Sequence, residues 1–382
     1  MNTPNPVGPG SAGTAQSSPA HAGPRRAQLE QAIAAVVDPA CGLSLAETGA
    51  RVRAADADGQ VAVAITLGYA LGGAAPAALR TAVANALQAA GTTLAGFELN
   101  HRIAAHAPQP NVTPSPRVRN ILAIGSGKGG VGKSTTAVNL ALALAADGAR
   151  VGVLDADVYG PSVPTMLGLS GRPDSPDGKA IVPMQAHGIE AMSIGLMVEQ
   201  DTPMIWRGPM ATSALTQLLE QTLWGDDAGL DYLIVDLPPG TGDIQLTLAQ
   251  KIPVAGAVIV TTPQDVATLD ARKALKMFEK VNVPVLGLVE NMAVHVCTQC
   301  GHAEHIFGHG GGERMAAQYE IPLLGSLPLE LAIREQGDAG VPVVASAPDS
   351  PAARAYREAA RRIAARLAAR PRAPMPIAAS MV

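Results

Sequence analysis

From Asn120 onwards, short apolar runs alternate along the chain with amphipathic stretches of helical period. Continuous apolar runs are typical of strands buried on both faces, and the stretches between them predict covering helices. We therefore predict an α/β domain with a mostly parallel sheet covered by helices on both faces. The clearest strands are ILAIGS, RVGVLDAD, YLIVDLPP, GAVIVTTP and VLGLVENM. A last strong helix is predicted from about Pro351 to Ala369, before Pro371.

A different pattern precedes this domain. Helical periodicity from Gln28 to Val37 is followed by DPACGLSLAETG, which predicts turns and a loop. Two β-rich runs then flank Asp58-Gly59, a pair that favours a hairpin turn. A helix from Pro76 to Ala90 and a third strand in GFELNHRIA complete a predicted small α+β domain.

These patterns divide the chain into five segments. Residues 1–24 and 371–382 are predicted to be disordered tails, because they have little apolar surface to offset the entropy of ordering. The small α+β domain is assigned to 25–106 and the P-loop α/β domain described below to 119–370. Between them, 107–118 is rich in proline and predicts a semi-rigid, extended linker.

Composition limits the classes of function. The 382 residues carry a formal net charge of -4, which gives no global electrostatic reason to expect nucleic acid or an anionic membrane as partner. Three cysteines, Cys41, Cys297 and Cys300, are too few for a disulfide framework and favour a reducing compartment. The chain shows neither a leader pattern nor an apolar run of ~18 residues. We expect a cytoplasmic protein with no nucleic-acid and no membrane partner.

The sequence GKGGVGKST lies between a predicted strand and a predicted helix, the order that a phosphate loop requires. Lys133 is expected to reach the terminal phosphates of a bound nucleotide, and Ser134 to bind Mg²⁺. An ordinary glycine-rich turn is the alternative. The residues predicted to contact the nucleotide here are Gly127, Lys128, Gly129, Gly130, Val131, Gly132, Lys133, Ser134 and Thr135.

Acidic residues end two further strands. Asp236 follows YLIV and is expected to hold a Mg²⁺-bound water, and LPPGTGD then forms a mobile turn. Asp155 and Asp157 end the strand of VLDAD, where one of them is placed to orient the attacking water, and we assign this catalytic role to Asp157. Structural capping is the alternative for both.

Cys297 and Cys300 form a C-x-x-C motif in a loop, a spacing at which two thiolates share one metal or cluster. Such sites usually have four ligands. Either two subunits contribute a pair of cysteines each, or nearby histidines complete the set. His302 follows Cys300 more closely than ligand pairs are usually spaced. A subunit-bridging Fe–S cluster, a mononuclear zinc ion, and redox or structural thiols remain open. The histidines nearby are His295, His302, His305 and His309.

A phosphate loop needs one lysine, so Lys128 is left over. The loop resembles the deviant loop of the MinD, ParA and nitrogenase-iron-protein class of dimeric ATPases. By that resemblance, Lys128 acts catalytically across a face-to-face homodimer on the partner's nucleotide. A cation delivered in this way is worth ~10³ to 10⁵ in rate, as arginine fingers are. A solvated surface lysine is the alternative.

A more specific resemblance rests on GKGGVGKST, LDADVYGPSVPTMLG, WRGPM, DYLIVDLPPGTGD, ENM and CTQCGH. Together they resemble the Mrp/ApbC family of Fe–S cluster carrier ATPases over about Asn120 to Arg370, and the small domain resembles the Fe–S-assembly domain often fused ahead of it. The resemblance implies a homodimer that hydrolyses ATP. It would receive a labile [4Fe–4S] cluster from a donor scaffold on the paired cysteines at its interface and pass it to apo-protein clients. It also implies that Asn291 contacts adenine, a simple turn residue being the alternative.

Two rival functions were weighed. A positioning ATPase acting on membrane or DNA would share the loop, and the arginines between Arg354 and Arg372 suit a membrane-surface helix. A basic solvated face on a packed helix explains them better. Electron transfer is disfavoured by the C-x-x-C spacing. Cys41 could take part in cluster handover or be an inert buried residue, and both roles are open. The segment from Trp206 to Met210 is expected to pack at the dimer or switch face.

Overall fold

The computed structural model describes residues 23–197 and 208–373. Most of the two predicted tails, residues 1–22 and 374–382, and Trp206 of the WRGPM motif lie outside the described residues.

The described helices are α1 Gly23–Ala34, α2 Ala75–Ala89, α3 Lys133–Ala146, α4 Val163–Met166, α5 Gly208–Gln221, α6 Asp243–Lys251, α7 Asp265–Lys280, α8 Gly311–Gln318, α9 Leu331–Asp338, α10 Val343–Ser346 and α11 Pro351–Ala368. The described strands are β1 Val37–Asp38, β2 Leu43–Ser44, β3 Arg51–Ala57, β4 Gln60–Leu67, β5 Thr93–His101, β6 Ile121–Gly125, β7 Val151–Asp155, β8 Met184–Ala186, β9 Ile189–Ser193, β10 Tyr232–Asp236, β11 Val254–Thr261, β12 Val285–Glu290, β13 His295–Val296, β14 Ala303–Glu304 and β15 Leu323–Ser326.

The main sheet has eight strands in the order β15-β12-β11-β6-β10-β7-β9-β8. All neighbours are parallel except β8, which runs antiparallel to β9 at one edge. The predicted α/β class with a mostly parallel sheet is confirmed. The five strands predicted from sequence are β6, β7, β10, β11 and β12. Strands β9 and β15 are shorter or less apolar and gave no comparable signal.

Two apolar layers cover the two faces of this sheet. Alternate residues of β10 show the division, since Ile234 packs with α3 and α11 and Val235 packs with α5, α6 and α7. The whole of β10 is buried, which explains why its sequence is continuously apolar. The fold thus places the carboxyl ends of the central strands at one edge, where loops carry the polar residues.

The small domain has a three-stranded sheet in the order β3-β4-β5, with β3 antiparallel and β5 parallel to β4. Asp58 and Gly59 both have positive φ, 54° and 81°, as the predicted hairpin turn requires. The first helix was predicted wrongly at both ends, because it begins at Gly23 and stops at Ala34. Residues 37–38 and 43–44 pair as short strands within the segment predicted to be turn and loop. Strands of two residues are too short to show any periodicity.

The linker follows the surface of the large domain instead of extending freely. Gln109 is buried, and its amide donates to the carbonyls of Ala249 and Ile252 at 2.8 and 2.7 Å and accepts from the N–H of Val254 at 2.9 Å. These three bonds satisfy main-chain groups at the end of α6 and the start of β11. A single polar side chain therefore holds the proline-rich segment in place.

Helix α11 buries the apolar face predicted for it, including Tyr356, Ala360, Ile363 and Leu367, and packs against α3. The face that a membrane-surface helix would need is thus occupied by the protein's own core. In the described ranges, the helices all fall short of the length or apolar character needed to cross a membrane.

Arg361 on α11 joins the two domains through a largely buried ion pair. Its Nε and Nη2 donate to the two carboxylate oxygens of Asp147 at 2.6 and 2.7 Å, and Nη2 also donates to the carbonyl of Gly72 at 3.1 Å. The N–H of Gly72 in turn donates to Asp147 at 3.2 Å. Gly72 belongs to the small domain and Asp147 ends α3, so one arginine holds three segments together.

We expect Arg361→Met to lower the free energy of unfolding by about 2–3 kcal/mol, because it leaves the buried carboxylate of Asp147 without its cation. Equilibrium urea unfolding followed by circular dichroism measures the change. Lys276→Met is the matched control, since Lys276 and Glu279 form an exposed pair with 61% and 49% of their side chains accessible, and its effect on the free energy of unfolding should be much smaller. If both variants lowered the free energy of unfolding equally, a structural role for the Arg361–Asp147 pair would be contradicted.

Candidate nucleotide and thiol sites

The predicted phosphate loop occupies residues 126–132, between the end of β6 and the first residue of α3. Gly130 and Gly132 have φ of 78° and 77°, a left-handed conformation that favours glycine. A Cβ on Gly127 would overlap the main chain of Asp270 on α7, and one on Gly132 would overlap the side chain of Asn291. The glycines therefore allow a compact loop whose N–H groups gather at the N-terminus of α3, an arrangement that binds phosphate.

Lys133 begins α3 and is buried among acidic groups, with 6% of the residue exposed. Its Nζ lies 2.6 Å from Oδ1 of Asp236, 3.6 Å from Oδ2 of Asp157 and 3.2 Å from Oγ of Ser134. The structure therefore brings together four of the residues predicted from three separate motifs. They come from the carboxyl ends of β6, β7 and β10, which are neighbours in the sheet.

Asp236 has the features of a cation ligand. It is fully buried, and its Oδ2 has no hydrogen-bond partner. Burial raises the pKa of this carboxyl group, and the ammonium of Lys133 works against that rise. A carboxylate oxygen beside the hydroxyl of Ser134 matches the oxygen ligands that Mg²⁺ prefers. The residues predicted to hold Mg²⁺ thus fit that ion chemically.

The two aspartates after β7 have different environments. Asp155 is fully buried and accepts hydrogen bonds from the N–H of Asp157 at 3.1 Å, the N–H of Val163 at 3.2 Å and the hydroxyl of Ser193 at 3.1 Å. Burial, followed by the nearby charge of Asp236, raises the pKa of Asp155 to about 7. Asp155 therefore anchors the segment that carries Asp157, and Asp157 is the one that faces Lys133.

Lys128 lies on the outer part of the loop and is only half-buried. Its carbonyl accepts a hydrogen bond from the hydroxyl of Ser126 at 2.9 Å, which fixes the main chain. Its ammonium forms no ion pair with another residue in the described ranges. Gly129 and Gly130 beside it are exposed, so this side of the loop is open to a second molecule.

A cavity of about 230 Å³ opens next to the phosphate loop. Asn291 lies in its wall with Gly132 and Thr135 and donates its amide N–H to the carbonyl of Val131 at 2.9 Å. That bond leaves the Oδ1 acceptor of Asn291 for a ligand. Apolar and charged side chains complete the lining. The apolar ones are Met166, Met292, Pro328, Leu329, Ile333 and Tyr356, and the charged ones are Glu330, Arg334 and Asp338.

Cys297 and Cys300 lie at the tip of a small hairpin formed by β13 and β14. The N–H of Cys297 donates to the carbonyl of His302 at 2.9 Å, and the N–H of Gly301 donates to the carbonyl of Cys297 at 2.8 Å. Cys297 is half-buried and Cys300 exposed. Hydrogen bonds from the N–H groups of Gln299 and Cys300 lower the pKa of Cys297, which favours the thiolate that binds metals.

The nearby histidines do not gather around these thiols. His295 Nδ1 donates to the carbonyl of Leu329 at 2.9 Å, and His305 Nδ1 donates to the carbonyl of Ala293 at 2.7 Å. Within 23–197 and 208–373, no group of three or more His, Cys, Asp or Glu residues is arranged to hold a metal ion. A single described chain therefore offers a pair of thiols rather than a complete ligand set.

The third cysteine lies inside the small domain. Cys41 is buried, with Sγ 3.6 Å from the hydroxyl of Tyr69, which donates to Asp38 at 2.6 Å. Burial raises the pKa of the Cys41 thiol, which disfavours nucleophilic or metal-binding chemistry. This environment supports the inert role over cluster handover.

Several residues of the site were not predicted from the sequence. Ser193, which holds Asp155, ends an unremarkable strand, and the cavity lining comes from distant parts of the chain. Glu290 accepts the N–H of Gly312 at 2.6 Å and so ties the end of β12 to the start of α8. Its position directly before Asn291 in the ENM motif was the available signal. Of the WRGPM motif, Pro209 lies in the first turn of α5.

The strand, glycine-rich loop and helix, with buried Lys133 and Asp236, define a P-loop NTPase. Comparison with solved structures agrees with this class. The chain resembles the nucleotide-binding protein from Archaeoglobus fulgidus in complex with ADP, with 37% identity and a TM-score of 0.51, covering 59% of this chain and 87% of that one.

Comparison with protein families and curated relatives gives the family. Residues 117–364 match the model of the NUBPL iron-transfer P-loop NTPase, and residues 26–93 match an iron-sulfur cluster assembly protein model. The chain belongs to the NUBPL iron-transfer P-loop NTPase family.

Its relatives include the iron-sulfur cluster carrier proteins of Pseudomonas fragi, 60% identical over 71% of this chain and 94% of the relative, and of Escherichia coli K12, 57% identical over 74% and 76%. The mouse iron-sulfur cluster transfer protein NUBPL is 52% identical over 69% of this chain and 82% of its own length.

The raised pKa of Asp155 predicts a pH dependence of stability. The folded form binds this proton more tightly than the unfolded chain, whose carboxyl pKa is near 3.8. The resulting stabilisation is therefore complete below about pH 4 and is lost as the pH rises through about 7. The Asp155→Asn variant has no titrating carboxyl group at this position. Its amide is a poorer hydrogen-bond acceptor than the carboxyl group, so we expect the variant to be less stable than wild type at every pH. The thermal midpoint of wild type should exceed that of Asp155→Asn by less at pH 8.5 than at pH 5.5. A difference that stays constant or widens would contradict the raised pKa of Asp155.

Proposed function

We propose that the protein is an ATP-hydrolysing carrier of iron-sulfur clusters. Two copies would bind one labile [4Fe–4S] cluster as cargo between their Cys297 and Cys300 pairs and transfer it to apo-protein clients. The observation that carries the proposal is the pair of thiols at a hairpin tip, Cys297 half-buried and Cys300 exposed, on the same chain as a P-loop site. The names of the relatives, which are cluster carrier and transfer proteins, support it.

The P-loop side of the proposal rests on the buried charges. Lys133 would bind the terminal phosphates, exchanging its contacts with Asp236 and Asp157 for contacts with the nucleotide. Ser134 and Asp236 would hold Mg²⁺, which neutralises phosphate charge when bound. Asp157 is anchored through Asp155 and is the carboxylate available to orient the attacking water.

The cavity beside the loop would hold the base. An acceptor at Oδ1 of Asn291 suits the exocyclic amino group of adenine and disfavours the carbonyl that guanine carries at the same position. Apolar side chains on part of the remaining wall suit the faces of a purine ring, and the charged residues Glu330, Arg334 and Asp338 line the rest. These features support ATP as the nucleotide.

The cavity and the thiol hairpin share a physical connection. Leu329 lines the cavity, its N–H donates to the carbonyl of Val294 at 2.8 Å, and its carbonyl accepts from His295 at 2.9 Å. Asn291 lies only six residues before Cys297 on the same segment. A nucleotide that moved either cavity wall would therefore also move the hairpin, which supports a link between ATP and cluster transfer.

A second copy of the chain completes the proposed cluster site. Two thiolates are half of the usual ligand set of a [4Fe–4S] cluster, and the exposure of Cys300 leaves room for another molecule. The unpaired ammonium of Lys128 also points to a homodimer, because a cation on an open loop can reach the partner's phosphates.

Cys297→Ala and Cys300→Ala should each abolish cluster binding while leaving ATP binding intact, because the thiols lie outside the phosphate loop. Anaerobic reconstitution, with iron content, absorbance and mass measured together, should give about one [4Fe–4S] cluster per wild-type dimer. His302→Ala is the control and should retain the cluster. Full iron occupancy in the double Ala variant would refute the assignment, and loss of metal in His302→Ala would favour a zinc site.

The two lysines should be separable. Lys133→Ala should lose nucleotide affinity, because it removes the cation that binds the chain's own phosphates, whereas Lys128→Ala should mainly lose hydrolysis. In mixed dimers, a Lys133→Ala subunit that keeps Lys128 should restore hydrolysis to a Lys128→Ala partner with an intact loop. Rates should be measured over a range of protein concentration. Equal hydrolysis by wild type and Lys128→Ala would remove the proposed role of Lys128.

A further inference from the structure

Gln245 on α6 is a buried amide that the proposed chemistry does not use. It is 1% exposed, and neither Nε2 nor Oε1 has a hydrogen-bond partner among residues 23–197 and 208–373. The amide packs against the last residue of β6, since a Cβ built on Gly125 would lie 3.2 Å from Nε2. In the part of the chain that the structure describes, Gln245 is the one side chain with two polar atoms both buried and unpaired.

This arrangement is unfavourable for the fold as it stands. An unsatisfied buried polar group destabilises the folded state, whereas an apolar side chain of the same shape does not. Methionine has nearly the same length and volume as glutamine and packs adaptably in cores. A glutamine at this position is therefore explained by a second arrangement in which its amide is paired.

The location of α6 in the fold suggests which movement would give the amide of Gln245 a hydrogen-bond partner. Helix α6 directly follows the glycine-rich turn 237–242, which begins after Asp236. The turn touches the phosphate loop through the N–H of Gly240, which donates to the carbonyl of Ser126 at 3.1 Å. Asp236 also has a buried oxygen without a partner. Unpaired groups thus stand at both ends of residues 236–245, beside the loop that would receive the phosphates.

We propose that Gln245 is a positioning residue for this turn. When nucleotide occupies the phosphate loop, the turn shifts with Asp236, and the amide of Gln245 pairs with main-chain groups at the start of the loop, Gly125 and Ser126. The pairing holds α6 and Asp236 in the nucleotide-bound arrangement. Gln245 acts through the turn and does not touch the phosphates. The inference rests on the proposed binding of nucleotide at this loop.

The test compares Gln245→Met with wild type in two measurements. Without nucleotide, the thermal midpoint of Gln245→Met should equal or exceed that of wild type, because an unpaired amide has been removed. Affinity for ADP with Mg²⁺, measured by calorimetry, should fall about tenfold, which corresponds to ~1.4 kcal/mol, the scale of one or two net hydrogen bonds. Gln245→Leu provides a second apolar variant with the same expected result.

Thr247→Ala is the matched control on the same helix, because the hydroxyl of Thr247 is exposed and bonds only to the carbonyl of Asp243 at 2.6 Å. It should change neither measurement. If Gln245→Met lowers the midpoint and leaves the affinity unchanged, the amide serves the static fold, for example through a buried water, and the inference is overturned. If wild type and Gln245→Met bound ADP with equal affinity, this inference alone would be overturned. A wild-type protein that binds no nucleotide would overturn the proposed function as well.

Discussion

The contact between the ammonium of Lys133 and the carboxylate of Asp236 is the interaction on which the rest of the site depends. Both groups are buried, so either charge would be strongly destabilising without the other. Asp155 stands behind them as a third acidic group, and burial, followed by the nearby charge of Asp236, raises its pKa. A site with more carboxylates than cations has a built-in affinity for Mg²⁺, while Lys133 provides the complementary charge for phosphate.

The parallel sheet makes this concentration of charge possible. Strands β6, β7 and β10 are neighbours and end at the same edge, so residues more than 100 positions apart in sequence meet there. The next strands on one side lead to Asn291 and then to the thiol hairpin. The phosphate loop and the thiol hairpin, the two sites of the proposed function, therefore lie in loops on one edge of one sheet, and short connections through Leu329 and His295 join them.

Much of this organisation was predictable because it depends on local pattern. Apolar runs identified the central strands, and the spacing of GKGGVGKST identified the loop, since both signals lie within about ten residues. The inert surroundings of Cys41 and the anchoring of the linker by Gln109 were not predictable, because each depends on partners brought close by the fold. The hydrogen bonds that hold Asp155 were not predictable either, because Val163 and Ser193 reach it only in the folded chain.

The attachment of the small domain by Arg361 has a consequence for the assembled carrier. Gly72 and Asp147 meet at the carboxyl end of α3, whereas the phosphate loop is at its amino end, and a helix of 14 residues separates them by about 21 Å. A dimer closed across the nucleotide loops would thus keep its two small domains away from the closing surfaces, on the outer flanks. In the proposed homodimer, neither small domain would need to be displaced for the two phosphate loops to meet.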